Sequence, residues 1–272
     1  MTCTVCPHHC SLDEGQTGLC RARKNENGRI LCENYGRLTS LSLDPIEKKP
    51  LARFYPGSMI LSAGSYGCNL RCPFCQNHSI AMADNSIKAL YVSPEALIQS
   101  ALGLISQGNI GIAFTYNEPM ISYEYILDCA TLANEHNLKT VLVTNGTICK
   151  EPFLTLLPHI DAMNIDLKGF TQRFYQKLGG DLETVKQTIL LAVPHCHVEV
   201  TTLIIPHEND TDAEMDDLAR WLASVDPAIP LHITRFFPAY RMLQNIPTPV
   251  ETIHRLRKIA AQYLRWVYVG NC

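Results

Sequence analysis

From residue 58 onward, short β-like runs alternate with segments of helical spacing, and this alternation limits the available folds more than any other feature. The runs cover 59–63, 110–115, 140–144, 162–167, 198–205, 231–236 and 266–269. Helical patterns lie between most of them, at 121–134, 212–223 and 250–264, and again after Ser93-Pro94-Glu95, an N-cap with proline at the first helical position. Strands alternating with helices imply right-handed crossovers and a parallel sheet. Six or seven units are too few for an eight-fold barrel. The expected fold is α/β, a partial (β/α)6-type parallel barrel over 58–272. Residues 1–57 read differently: they are rich in Cys, Gly, Asn and charge, and they end in the turn-forming "YPGS" at 55–58. They are expected to form a small Cys-rich metal-binding segment.

The polar motifs fall where each run ends. "GCNLRCPFCQN" (67–77) follows the first run, Tyr116-Asn117-Glu118-Pro119 the second and Thr144-Asn145-Gly146 the third. Asp166-Leu167-Lys168 closes the fourth, "PHEND" (206–210) follows the fifth, and Phe237-Pro238-Ala239-Tyr240 the sixth. In a parallel barrel, C-terminal strand ends carry the active site.

Cys68, Cys72 and Cys75 stand in a C-x3-C-x2-C spacing within one loop. A structural zinc site is closed by four ligands. A [4Fe–4S] cluster held by three thiolates keeps one iron open for a reacting cofactor, so the missing fourth ligand makes chemical sense. Zinc completed by His78 or a distant cysteine is the alternative for the same triad.

This loop after the first strand of a partial barrel resembles the radical S-adenosylmethionine (SAM) enzymes, over about residues 58–270. The resemblance implies that SAM chelates the open iron through its methionine amino and carboxylate groups. Reductive cleavage then yields a 5′-deoxyadenosyl radical that abstracts hydrogen from a substrate. Within the family the barrel is similar to activating enzymes of glycyl-radical proteins, such as pyruvate formate-lyase activating enzyme. "CPHHC", "GQTGLC", "DPIEKKP" and "YNEP" resemble the branch that accompanies Memo-like and AMMECR-type proteins.

The resemblance implies site roles for particular residues. Glu118 accepts a hydrogen bond from the methionine ammonium, in a turn where the family has Gly-Gly-Glu-Pro and this chain has Tyr116 and Asn117 for the glycines. Asn77 reaches the adenosyl group. Lys168, beside Asp166, pairs with the methionine carboxylate. Asn145 sits in the Thr-Asn-Gly turn, and the hydroxyls of Thr201, Thr202 and Tyr240 stand near positions where activating enzymes carry Arg and His. Val143 replaces the acid that those enzymes place before Thr-Asn-Gly. Implied partners are a one-electron donor (flavodoxin or ferredoxin) and Memo-like, AMMECR-type or glycyl-radical proteins. The substrate reading leans toward a small molecule, with a glycyl-radical activase as the alternative and a non-enzymatic zinc module as a second.

Cys3, Cys6, Cys10 and Cys20 form C-x2-C-x3-C-x9-C in a segment of low apolar content. A metal knot, zinc or a second Fe–S cluster, would stabilise such a segment. His8 or His9 could replace one thiol. Cys32, Cys129, Cys149 and Cys196 have no partner at ligand spacing and read as small core residues. "RARKNENGR" (21–29) could dock an acidic electron donor, "DPIEKKP" a partner, and Gly179-Gly180-Asp181 reads as a helix-to-helix junction. The net charge of −3 gives no case for nucleic acid or an anionic membrane. Twelve cysteines without a signal-peptide pattern point to metal rather than disulfides, and to the cytoplasm of a cell living with little oxygen.

Overall fold

The computed structural model describes residues 1–272. The chain opens with an antiparallel hairpin of β1 (Arg23–Glu26) and β2 (Arg29–Cys32), turning at Asn27-Gly28, where both φ angles are positive. Asn-Gly favours that turn because both central residues tolerate left-handed backbone. A short pair of β3 (Arg37–Leu38) and β6 (Leu90–Tyr91) flanks the barrel.

The main sheet holds eight strands. Seven run parallel in sequential order: β5 (Met59–Gly64), β7 (Asn109–Phe114), β8 (Lys139–Thr144), β9 (Ala162–Asp166), β10 (His197–Ile204), β11 (Leu231–Arg235) and β12 (Val267–Gly270). Each of the seven expected runs is one of these strands. The eighth, β4 (Ser40–Pro45), pairs antiparallel with β5 at the open edge.

Helices α1 (His78–Ala81), α2 (Pro94–Leu102), α3 (Tyr123–Glu135), α4 (Lys150–Leu156), α5 (Gln172–Leu178), α6 (Leu182–Ala192), α7 (Asp212–Val225) and α8 (Val250–Ala260) complete the chain. Ser93 caps α2 by accepting from the Ala96 N–H. At the Gly179-Gly180-Asp181 junction, Gly179 closes α5 in the left-handed region and Asp181 caps α6. No helix is long and apolar enough to cross a membrane.

Strand side chains alternate between the two faces. Leu61, Ile112, Leu142, Met163, Val200 and Ile233 face outward into the helix-packed core. Ile60, Ala113, Val141 and Ala162 face inward near the N-terminal mouth, where Ile46, Leu51 and Phe54 pack on them. Residues 46–54 therefore form a floor. Glu199, fully buried on β10, holds it by accepting the backbone N–H groups of Ala52 (3.0 Å) and Arg53 (2.7 Å). The Asn164 amide also donates to the Pro50 carbonyl.

This arrangement corrects the expected division at residue 57. Residues 40–57 supply a strand and the floor of the barrel, because inward apolar side chains at its mouth need cover from water. "DPIEKKP" is consumed by the same floor: Lys49 is buried and its ammonium lies 2.9 Å from the Asp44 carboxylate.

Candidate active site

The loop from Gly67 to Asn77 is nailed down by its apolar members. Leu70 and Phe74 are buried among Phe174, Leu178, Ile205 and Phe236. The Arg71 N–H donates to the Leu178 carbonyl. With those anchored, Cys68, Cys72 and Cys75 all line one cavity of about 720 Å³. Gly67 is required at its place: φ is +85°, and a Cβ there would sit 2.5 Å from the Cys20 carbonyl oxygen.

The same cavity is lined by Asn77, Tyr116, Asn117, Glu118, Asn145, Asp166 and Lys168, so seven residues from four strand ends converge with the triad. Below them, Thr201, His232, Thr234 and Tyr268 line it down to Pro50 and Ala52 at the floor.

Glu118 is buried, and its carboxylate accepts from the Met120 N–H (3.0 Å), the Thr144 hydroxyl (2.6 Å) and the Asn145 N–H (2.7 Å). Burial pushes its pKa up to about 7 against the pull of those three donors. Of about four acceptor sites on a carboxylate, three are filled. Asn145 in turn donates its amide to Asn69 Oδ1 at 2.9 Å and toward Cys68 Sγ at 3.6 Å.

Of the two residues that stand for the glycines, Tyr116 keeps glycine geometry, and both gain side-chain work. Tyr116 sits at φ +73°, a left-handed conformation that costs a bulky residue on the order of 1–2 kcal/mol. Its hydroxyl donates to Asp44 at 2.6 Å and its ring lies under the Lys49 ammonium. The Asn117 side chain is spent on backbone: it accepts from the Ser65 N–H and donates to the carbonyls of Tyr66 and Gly67. It braces the approach to the cysteines. Asn77 donates to the Tyr116 carbonyl at 2.8 Å.

Asp166 and Lys168 form an ion pair at 2.6 Å. Burial disfavours the Lys168 charge, but Asp166 and the neighbouring Cys72 outweigh it and hold its pKa above the ordinary value. Burial pushes the Cys72 thiol up to about 12 and raises Cys68 and Cys75 as well. Thiols so placed become thiolates when a metal supplies the compensating charge. All twelve cysteines are free.

Two expected residues lie elsewhere. Thr202 faces outward, because Thr201 and Leu203 take the inward positions of β10, and its hydroxyl is buried without a partner. Tyr240 stacks on His78 at 4.5 Å between ring centroids, outside the cavity lining. One group escaped sequence reasoning: His232, whose Nε2–H donates to Glu199 at 2.5 Å, with His197 on the other carboxylate oxygen at 2.9 Å. Inward parity along β11 was the signal that could have found it.

Residues 63–222 match the Radical SAM superfamily. The chain belongs to this superfamily. It is 41% identical to MJ0808, an uncharacterized protein of Methanocaldococcus jannaschii, over 99% of this chain and 80% of that one. It is 23% identical to the pyruvate formate-lyase-activating enzyme of Clostridium pasteurianum, over 58% and 67% of the two chains. Its fold is similar to that of a radical SAM methyltransferase from Sphaerobacter thermophilus, with a TM-score of 0.60 and 17% identity over 79% of this chain and 67% of the other. The zinc-module reading falls with this membership. The radical SAM enzyme's cysteine loop fits a [4Fe–4S] cluster: three free thiols share one cavity wall, with an N–H donor from Leu70 (3.4 Å) and the Asn145 amide on Cys68 Sγ. Glycyl-radical activating enzymes stand as distant relatives.

Proposed function

We propose that this radical SAM enzyme abstracts hydrogen from a small polar molecule held in the lower half of the cavity. The observation that carries this reading is the floor. One cavity runs from the cysteine triad down to Pro50 and Ala52, and Thr201, His232 and Thr234 present polar groups along its lower wall. A radical reaction needs an enclosed, water-poor space, and residues 46–54 close the end opposite the triad.

When bound, the cluster and SAM supply a carbon radical strong enough to take hydrogen from carbon. The chain's own residues set the stage. Cys68, Cys72 and Cys75 would hold the cluster, and Lys168 would meet the methionine carboxylate while Asp166 fixes its position. Glu118 would offer its remaining acceptor site to the methionine ammonium, and Asn77 would meet the adenosyl group. Tyr116 lines the cavity with its hydroxyl held by Asp44, and His232, oriented by Glu199, faces the substrate.

The finer assignment is to the branch that accompanies Memo-like and AMMECR-type proteins. What supports it is that its motifs surround one site: "YNEP" in the wall, "DPIEKKP" in the floor, and "CPHHC" and "GQTGLC" behind the cysteine loop. A flavodoxin or ferredoxin would supply the electron. The activase reading is disfavoured by Val143, which lines the cavity where activating enzymes carry an acid.

The test is to add a protein-free filtrate of host-cell extract to reduced enzyme and SAM. The filtrate should raise 5′-deoxyadenosine formation. A glycyl doublet in electron resonance, formed on incubation with a glycyl-radical protein of the same cell, would overturn the small-molecule reading.

A further inference from the structure

We propose that Cys3, Cys6, Cys10 and Cys20 hold a second [4Fe–4S] cluster, and that this cluster passes electrons to the one at Cys68, Cys72 and Cys75. The four thiols, scattered over eighteen positions of sequence, line one small cavity with Val5, Arg23 and Ile121. A tight backbone knuckle presents the first three: the Cys3 N–H donates to the Cys10 carbonyl at 2.9 Å and the His9 N–H to the Cys6 carbonyl at 3.1 Å. Cys20 arrives from the base of the hairpin. The Arg23 guanidinium ties that hairpin to the barrel through Glu124 and the Ile121 carbonyl.

The donor set is thiol only. His8, which also borders the cavity, donates its Nε2–H to the Asn69 carbonyl at 2.7 Å. Zinc would draw four sulfurs to about 2.3 Å from one centre. Zinc carries no redox chemistry and would leave the bonded path from Cys20 to Cys68 without a use, whereas a cluster would use it.

The two sets are wired together. The Cys68 N–H donates to the Cys20 carbonyl at 3.2 Å, so the route from one sulfur to the other crosses a single peptide hydrogen bond. Gly67 lets the two backbones approach, since a Cβ there would strike that same carbonyl. A second bridge runs from His8 through Asn69 to Asn145, whose amide points at Cys68 Sγ. The outer rim is accessible: Cys10 is half-buried, Leu19 is 42% exposed, and Arg21 lies beside it, while Lys24 pairs with Glu33 at 3.9 Å. A one-electron donor of the flavodoxin or ferredoxin class would reach the cluster at this rim. One electron from the donor takes the N-terminal cluster from 2+ to 1+. Its onward transfer returns that cluster to 2+ and brings the SAM-binding cluster to 1+, with no bond or proton moved.

The test uses anaerobically reconstituted full-length chain. About eight irons and eight sulfides per chain are expected, the sum of two cubane clusters. The C68A/C72A/C75A variant should retain about half the iron and give a reduced-state electron-resonance signal indifferent to SAM. Cys20→Ser, or Cys10→Ser at the rim should the first fold poorly, should slow reduction of the SAM-binding cluster by reduced ferredoxin at least roughly tenfold. Zinc in place of the second cluster, or a triple variant without iron, overturns the site. An unchanged reduction rate in a variant that has lost the second cluster overturns the relay.

Discussion

Glu118 and Asn145 are joined by a 2.7 Å hydrogen bond from the Asn145 N–H to the Glu118 carboxylate, and through it the end of one strand positions a cysteine ligand on another loop. The Asn145 side chain extends the link to Cys68 Sγ. Glu118→Ala is therefore expected to do two things at once. Three donors lose their acceptor, which costs on the order of 1–3 kcal/mol of stability. SAM affinity should fall by a similar amount, and the iron signal should broaden as Cys68 loosens. Thermal unfolding, SAM titration and electron resonance on one preparation check this. A loss of SAM affinity with unchanged melting and an unchanged iron signal would contradict the bracing role.

The barrel floor should be acid-labile. Burial opposes the Glu199 charge, but hydrogen bonds from His197, His232, Ala52 and Arg53 prevail and lower its pKa from 4.5 to about 2. A carboxylate depressed on folding contributes stability that is present above its unfolded pKa and lost as pH falls through the folded one. The window is thus from about 4.5 down to about 2, and the shift corresponds to about 3 kcal/mol. Glu199→Gln should flatten that limb in acid unfolding of cofactor-free protein. Parallel limbs in parent and variant would refute it.

Thr202→Val is expected to be neutral or stabilising. The Thr202 hydroxyl is buried with no partner, a state that costs about 1–3 kcal/mol. Thr201→Val should instead lower turnover, because Thr201 lines the cavity and donates to Asn164 at 3.0 Å. Comparing melting temperature and SAM cleavage for the pair separates the two faces of β10.

Tyr116→Gly should relieve the left-handed strain and keep SAM affinity, while removing a large side chain from the cavity lining. The expected readout is faster abortive SAM cleavage with weaker dependence on substrate. Tyr116→Phe removes only the hydrogen bond to the Asp44 carboxylate and should cost about 1.5–3 kcal/mol. Equal behaviour of the two variants would deny the Tyr116 ring any role in the cavity wall.

The periodic parts of this molecule were legible in its sequence. The seven parallel strands follow from two-residue alternation and apolar runs, and the triad from its spacing alone. The floor was not legible, because Ile46, Leu51 and Phe54 follow no period and acquire meaning only from inward residues contributed by four distant strands. The antiparallel β4 hid for a different reason: Ser-Leu-Ser-Leu does alternate, but the run is short, ends in Asp44-Pro45 and puts Leu41 on an exposed face. Thr202 was misplaced by one position, which in a strand reverses the face. Asn27-Gly28 was a readable hairpin signal, obscured by the surrounding charge. Asn117 read as a lost glycine, while its amide had taken over the bracing of Ser65, Tyr66 and Gly67.

The floor segment is among the first parts of the chain to leave the ribosome and among the last that can settle. Ala52 waits for Glu199, 147 positions downstream, and that carboxylate waits for His232 on the next strand. Until β9 is made, the stretch bearing Ile46, Leu51 and Phe54 lacks part of the apolar face it covers, and until β10 is made the Ala52 and Arg53 N–H groups have no carboxylate to hold them, so the stretch stays open to non-native contacts. Contacts this distant in sequence close slowly. Assembly of the enzyme is thus paced by its carboxyl-terminal third, and truncations there should strand the amino-terminal cysteines in an unfinished, oxygen-exposed chain.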